Sequence, residues 1–243
     1  MSPSPTASAI REDSGGFKSV FETKKKYIPE PKTPSGAGNV KMRNPFTDVY
    51  IDDWYYQDVM YTYSKGLLKG TFRRLFEPGT AVSRGMLVTI LYRDAGSPKT
   101  AGLKNPFSDL SAGVYYYEPV IWAAANGIVY GGDDGLFRPE DLVTRQQLAA
   151  VLFRYAVYAG FDVFDKDADL SPDAVFRELA AHFIDADQFF SYAWKPILAL
   201  VKSKIVIGDF ERRFKPDDPL TRAQAAAVIH RYHGITVADE RLN

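Results

Sequence analysis

A threefold internal repeat constrains this chain more than any other feature of its sequence. Each copy closes a loop with Phe-x-Pro and then places Ser-Arg or Thr-Arg a few residues later. The Phe and Arg positions are Phe76 and Arg84, Phe137 and Arg145, and Phe214 and Arg222. The first two copies are offset by 61 residues and the last two by 77. Repeats of this length favour units that stack, because one unit alone cannot bury its apolar face.

The repeat divides the 243 residues into five parts. Residues 1–43, rich in Ser, Pro, Gly and Lys without a sustained period, predict a linker or disordered lead-in. The three copies are assigned to residues 44–97, 105–160 and 183–235, with an insertion at 161–182. Asp165, Asp167 and Asp169 in the insertion have the spacing of a calcium loop but lack its Gly and Glu, which favours an acidic surface insertion.

Each copy is predicted to form a helix, a turn-rich loop and a second helix, which makes an all-α fold with few strand signals. In the second copy, Val120, Ala123 and Ile128 fall on one face of a helix. Asp53 and Ser191 each precede an aromatic residue and are predicted N-caps of the first helix in their copies.

The ends of the first helices are predicted from glycine. Gly66 and Gly127 suit the left-handed position just after a helix. Lys204 occupies that position in the third copy, so its first helix is expected to end less cleanly.

The second helices begin at the Ser/Thr-Arg pairs. Thr144 with Gln147, and Thr221 with Gln224, have the spacing of a capping box. Ser83 is a suitable cap, but Met86 cannot complete a box. These helices are expected to end near Arg93, Arg154 and Arg231.

Composition excludes several classes of protein. Lys plus Arg and Asp plus Glu both number 30, so no global basic field for nucleic acid exists. The absence of cysteine excludes disulfides and thiol catalysis. No apolar run is long enough for a membrane span, and the first residues lack the apolar core of a signal peptide. The signal of an exported protein would therefore lie outside this chain.

No grouping of residues points to catalysis. Ser-His-Asp constellations, phosphate-cradling glycine loops and isolated carboxylate pairs do not stand out. His230 and His233 lie three residues apart without a third ligand nearby, so they predict a solvated helix end rather than a metal site. No enzyme activity, cofactor or metal is expected.

The repeated motifs together resemble the S-layer homology repeat. That repeat joins Phe-x-Asp, an aromatic residue twelve positions before a Gly-Ile/Leu pair, a further glycine, Phe-x-Pro and Thr-Arg-x-Gln/Glu; the match covers about residues 44–235. The resemblance implies a pseudo-threefold, all-helical domain with a central bundle of one helix from each copy and grooves between copies. The family anchors secreted surface proteins non-covalently to peptidoglycan-linked secondary cell-wall polysaccharide, which often bears pyruvate ketals.

The resemblance also nominates ligand-binding residues. The arginines that would grip the sugar acid are Arg84, Arg145 and Arg222. The Phe-x-Asp aspartates are Asp48, Asp109 and Asp185. The sugar-facing aromatic residues would be Trp54, Tyr115 and Tyr192. The glycines that would let a ligand approach the backbone are Gly70, Gly131 and Gly208.

The residue types suit an acidic sugar, but an internal role fits them as well. A helix N-terminus attracts anions, and an arginine there adds a planar fork that matches a carboxylate. The same arginine would equally form a salt bridge with a Phe-x-Asp carboxylate of the next copy, and the aspartates are turn formers first.

Departures from the family pattern keep a second function open. Gly85-Met86 and Lys204 motivate an alternative in which the grooves have degenerated and the chain is a structural module that contacts other surface proteins. Both hypotheses, polysaccharide anchoring and a structural module, predict that the chain is located at the cell wall or cell surface.

Overall fold

The computed structural model of the chain describes residues 43–161 and 170–240. Within these ranges the chain forms seven α-helices and no strand, so the all-α prediction is confirmed. The helices are α1 Tyr56–Ser64, α2 Arg84–Asp94, α3 Tyr117–Ala125, α4 Arg145–Tyr158, α5 Pro172–His182, α6 Ser191–Lys202 and α7 Arg222–Glu240. None of these helices has both the length and the apolar character of a membrane span. The predicted lead-in up to residue 42 and the alternating aspartates at 165–169 lie outside the described residues.

Helices α1 and α2, α3 and α4, and α6 and α7 are the predicted pairs of the three copies. Helix α5 lies in the predicted insertion. Ser171 caps it, its side chain accepting a hydrogen bond from the Ala174 N–H, and Pro172 occupies the first helical position. Its buried residues Val175 and Leu179 join the core, and α5 packs on α6. The insertion therefore contributes apolar packing to the third copy and is more than a surface loop.

The copies interlock in a cycle. The first helix of each copy packs on the second helix of another: α3 on α2, α6 on α4, and α1 on α7. The Phe-x-Pro phenylalanines Phe76, Phe137 and Phe214 are fully buried in one core that all three copies share. Each copy therefore completes the core of its neighbours.

A closed ring of backbone hydrogen bonds joins the copies just before their second helices. The Val82 N–H donates to Leu220 O (2.8 Å), the Leu220 N–H to Val143 O (2.8 Å), and the Val143 N–H to Val82 O (2.9 Å). These three residues have the 61- and 77-residue offsets of the repeat. Each of the three residues contributes one rung to this ring, and no sheet forms within the described residues.

The second helices bury their own N-terminal N–H groups. The N–H of Arg84 donates to Asp141 O (2.9 Å) and that of Gly85 to Pro139 O (2.8 Å). The equivalent N–H groups of α4 and α7 donate in the same way to carbonyls at 216, 218, 78 and 80. The expectation that these N-termini are open anion sites was therefore wrong, because the next copy already accepts their first two N–H groups.

The predicted caps of the second helices are confirmed. The Ser83 hydroxyl accepts from the Met86 N–H, and both reciprocal bonds of the box form at Thr144 and Gln147. The Thr221 N–H donates to the Gln224 side chain (3.0 Å), and the Gln224 N–H donates to the Thr221 hydroxyl (3.2 Å). A capping box depends on local spacing alone, which is why sequence sufficed here.

The predicted caps of the first helices were wrong. Helix α1 begins after Tyr55, and the Asp53 carboxylate instead accepts from the Tyr50 N–H (2.6 Å) within the preceding turn. Ser191 is the first helical residue of α6, which begins after Phe190.

Lys204 ends α6 as cleanly as glycine ends α1. Its φ is +56°, its N–H donates to Val201 O (2.9 Å), and the Ile205 N–H donates to Leu200 O (2.9 Å). Gly66, with φ +72°, makes the same pattern. The expectation of a less regular end was wrong because burial of Ile205 offsets the local cost of a left-handed lysine.

The second helices of the three copies, α2, α4 and α7, meet in a polar network centred on the C-terminal residue of α2. The Asp94 carboxylate of α2 accepts from the Tyr155 hydroxyl of α4 (2.6 Å) and lies 2.6 Å from Nε2 of His233 on α7. His230 Nδ1 lies 2.7 Å from the Asp58 carboxylate of α1. The prediction of a solvated helix end was wrong here, since α7 continues past Arg231 and both imidazoles join copies.

Candidate functional site

Each arginine at the start of a second helix joins two copies through hydrogen bonds, and we call this contact the arginine clasp. Arg84 donates from Nε to Phe137 O (2.9 Å) and from Nη2 to Tyr130 O (3.0 Å), both in the second copy. The equivalent bonds run from Arg145 to Phe214 O (2.6 Å) and Ile207 O (3.1 Å), and from Arg222 to Phe76 O (2.7 Å) and Lys69 O (2.7 Å). Each guanidinium thus holds the Phe-x-Pro turn and the carbonyl before the loop glycine of the next copy.

The same guanidinium groups stack on aromatic rings. Arg84 lies 4.6 Å from the centroid of Phe137, Arg145 4.9 Å from that of Phe214, and Arg222 4.5 Å from that of Phe76. Burial lowers the pKa of all three arginines. No carboxylate of the described ranges lies within 4.0 Å of them. Their internal partners are therefore carbonyls and rings rather than the Phe-x-Asp carboxylates that the sequence suggested.

The Phe-x-Asp aspartates stabilise the Phe-x-Pro turns of their own copies. Asp48 accepts from the N–H groups of Phe76 (2.8 Å) and Glu77 (2.7 Å). Asp109 and Asp185 do the same at the Phe-x-Pro turns of the second and third copies. This confirms the interpretation of these aspartates as turn formers. Glu77 has a φ of +57°, so the carboxylate holds a charged residue in a left-handed conformation.

The three loop glycines make room for the Phe-x-Asp rings. A Cβ at Gly131 would lie 2.6 Å from the Phe107 ring and 2.8 Å from Leu136 O. A Cβ at Gly70 or Gly208 would lie 3.0 or 2.8 Å from Phe46 or Phe183. Internal packing alone therefore requires glycine at these positions, whatever a ligand requires.

The nominated aromatic residues differ in exposure. Trp54 is 64% exposed and Tyr115 55%, whereas Tyr192 is half-buried. Tyr115 interacts electrostatically with Arg93 and Arg222. Tyr192 interacts in the same way with Arg84 and Arg154, and burial raises the pKa of its phenol to about 12.

A second row of arginines lies at the ends of the central helices. Arg93 donates to Leu67 O (2.9 Å), Arg154 to Ile128 O (2.8 Å) and Arg231 to Ile205 O (3.5 Å). Burial lowers the pKa of Arg154 to about 10, and its guanidinium lies 5.0 Å from the Tyr130 centroid. Sequence reasoning treated these residues only as helix ends. Their shared 61- and 77-residue offsets were the signal that could have identified them.

We use the name groove for each of the three junctions where helices of two copies pack, and we label each groove by its helices. Groove A lies between α2 and α3, groove B between α4 and α6, and groove C between α7 and α1. Arg154 interacts electrostatically with Arg84, and Arg145 with Arg231, while Arg93 and Arg222 both interact with Tyr115. Two guanidinium groups beside an aromatic ring can bind an anionic group on a sugar or peptide. Within the described part of the chain no cluster of His, Cys, Asp and Glu is arranged to hold a metal.

A family model described as "S-layer homology domain" matches the chain three times, at residues 45–85, 106–149 and 185–226. The matches cover more than half of the sequence and coincide with the three copies. The chain belongs to the S-layer homology domain family. The proposed resemblance and its three tandem repeats are thereby confirmed.

Curated relatives of this S-layer homology chain carry varied names. An endoglucanase of Bacillus sp. (strain KSM-635) is 25% identical over 185 residues, which are 76% of this chain and 18% of that protein. An S-layer protein of Bacillus thuringiensis subsp. finitimus is 24% identical over 184 residues, 76% of this chain and 21% of that protein. A cellulosome-anchoring protein of Acetivibrio thermocellus is 23% identical over 167 residues, 68% and 34% of the two chains. The chain thus spans from about a fifth to a third of the length of these relatives.

Proposed function

We propose that the chain is a non-catalytic module that anchors a protein to the cell surface by binding acidic secondary cell-wall polysaccharide. The ligand is a carboxylate-bearing sugar, such as a pyruvylated one, held in the grooves between copies. The observation that carries the proposal is the pair of guanidinium groups in each groove, none of which has a described carboxylate within 4.0 Å. Guanidinium groups whose hydrogen bonds end on neutral carbonyls favour an anionic ligand.

The relatives support the surface location. Proteins named as an S-layer protein and as a cellulosome-anchoring protein share this region, and so does an endoglucanase. A region common to proteins of such different names is suited to a shared attachment role. Where more than one groove binds, a repeating polymer would add avidity, so a single groove need bind only weakly.

A second candidate function rests on the exposed apolar loops. Phe210 is 98% exposed and Ile51 is 74% exposed, with Tyr50 and Phe72 also outside the core. Exposed rings of this kind are enriched at protein interfaces. The alternative is therefore a module that contacts another surface protein while its grooves stay empty.

Sedimentation with purified walls separates the two functions. The chain is mixed with peptidoglycan sacculi that carry their secondary polymer, and with the same sacculi after acid extraction of that polymer. We expect co-sedimentation with the intact sacculi and its loss after extraction. Equal retention on both would contradict the polysaccharide proposal and favour a protein or peptidoglycan target.

A further inference from the structure

Groove A contains a pocket with the volume of a sugar-binding site. The cavity measures about 360 Å³ and opens between α2 and the loop that leads into α3. Its polar lining comprises Thr89, Arg93, Ser97, Tyr115 and Glu118. Small-molecule sites begin at roughly 300 Å³, so the pocket has room for one sugar unit.

The pocket presents a separate positive and negative pole. Arg93 donates one N–H to Leu67 O, and its guanidinium forms no other hydrogen bond with a described residue. Glu118 is exposed and makes no ion pair within the described ranges, so the two charges lie more than 4.0 Å apart. A ligand that reaches both must carry an acceptor on one edge and a donor on the other.

The other grooves lack this lining. The residues equivalent to Glu118 are Gln57 in groove C and Lys195 in groove B. Thr89 is replaced by Ala150 and Ala227 at the same offsets.

The nominated aromatic residues of grooves A and B, Tyr115 and Tyr192, also differ in how exposed their rings are. Tyr115 stands at the rim of the groove A pocket and is mostly exposed, with its ring edge-on to Tyr116 at 4.9 Å. Tyr192 is half-buried and stacks on Phe190 at 6.0 Å. The ring of Tyr115 therefore has an exposed face that can cover the apolar face of a sugar, whereas the ring of Tyr192 is packed.

We infer that groove A is the principal sugar site of this chain and that Glu118 determines its specificity. The inference rests on the proposed function and adds the groove and the ligand chemistry. The ligand is an acidic sugar unit whose carboxylate faces Arg93 while ring hydroxyls on the opposite edge donate to Glu118. A neutral sugar lacks the first contact, and an acid without hydroxyls lacks the second.

Matched tryptophan substitutions in the full chain test which groove is used. Val114→Trp fills the pocket of groove A from a partly exposed position, 38% accessible. Ser191→Trp places the same side chain at the equivalent exposed position of groove B, 77 residues later. The probe is soluble wall polysaccharide, titrated by calorimetry. We expect Val114→Trp to weaken binding at least about tenfold and Ser191→Trp to leave it within about twofold.

Charge variants test the role of Glu118, and this test stands even if the tryptophan variants do not fold. Glu118→Lys gives groove A the residue of groove B, and Lys195→Glu makes the reverse change in groove B. We expect about tenfold weaker binding for the first and an unchanged affinity for the second, with both retaining the native circular dichroism.

The outcomes separate this inference from the proposed function. Full affinity in Val114→Trp or in Glu118→Lys would overturn the assignment of groove A, while wild-type binding to intact walls would still support anchoring. A loss confined to Ser191→Trp would move the site to groove B. No binding of the wild-type chain to any wall preparation would overturn both.

Discussion

At the scale of single residues, the arginines combine structural and binding chemistry. Arg222 is buried and donates to two carbonyls of the first copy while it stacks on Phe76. These hydrogen bonds end on neutral carbonyls rather than on carboxylates. The positive charge of the guanidinium is therefore not cancelled and persists at the groove. The residues that hold the copies together are thus also the source of the potential that would attract an acidic glycan.

Substitution of Arg222 should therefore destabilise the fold. Arg222→Ala removes two charge-assisted hydrogen bonds and leaves the buried Phe76 carbonyl without its donor, so we expect a loss of about 2 to 4 kcal/mol in the free energy of unfolding. Chemical denaturation measures this value. Arg213→Ala is the control, since Arg213 is half-exposed and should change stability by less than about 0.5 kcal/mol. Equal stability of the two variants would contradict the clasp.

The phenol of Tyr192 predicts a loss of stability in alkali. Burial raises its pKa from 10.0 to about 12, so the folded chain keeps this proton where the unfolded chain releases it. The stabilisation is complete below pH 10 and is lost as the pH rises from 10 to about 12. Thermal melting across this range should show a smaller decline in Tyr192→Phe than in the wild type. Identical declines would contradict the burial of this phenol.

At the scale of secondary-structure elements, tertiary contacts override local preference at identifiable points. Lys204 adopts a left-handed conformation that glycine adopts more easily, and Ile205 behind it is buried. Helix α5 forms in a segment that carries no repeat motif, and its buried Val175 and Leu179 face α6.

Lys204→Gly should stabilise the chain. Lys204 is exposed, so the substitution removes only the cost of the left-handed lysine, about 1 kcal/mol. Gly66→Ala is the matched opposite change, because a Cβ there meets no atom within 4 Å and only its φ of +72° is unfavourable. Denaturation midpoints should move up for the first and down for the second. A fall in stability for Lys204→Gly would contradict this account.

The sequence predicted features that depend on local residue spacing, but it did not predict contacts between residues far apart in the chain. The capping boxes at Thr144 and Thr221 follow from a short local motif. The partners of Arg84 and the network around Asp94 depend on residues 46 to 139 positions away, which only the cyclic packing of copies brings together. Glu118 was not singled out because one glutamate on a helix carries no signal until the pocket is seen.

At the scale of the whole molecule, the cyclic arrangement makes the three copies one cooperative unit. The ring of Val82, Val143 and Leu220 closes only when all copies are present, and α1 packs on α7 from the opposite end of the chain. Long-range closure of this kind leaves no copy with a complete core of its own.

A fragment of the first two copies should therefore fail to fold. Residues 43–161 lack α7, which covers α1, and lack the Arg222 clasp on Phe76. We expect the full chain to unfold in one transition and the fragment to show little cooperative melting by circular dichroism. A sharp, native-like transition in the fragment would indicate that the copies are independent.

The central claim, that the grooves bind the acid of a wall glycan, is tested most directly by titrating the chain with soluble wall polysaccharide before and after its carboxylates are converted to amides. We predict binding to the acidic polymer and at least about a tenfold loss of affinity for the amidated one, because the guanidinium pairs then lose their anion. Equal affinity for the two polymers would contradict the claim.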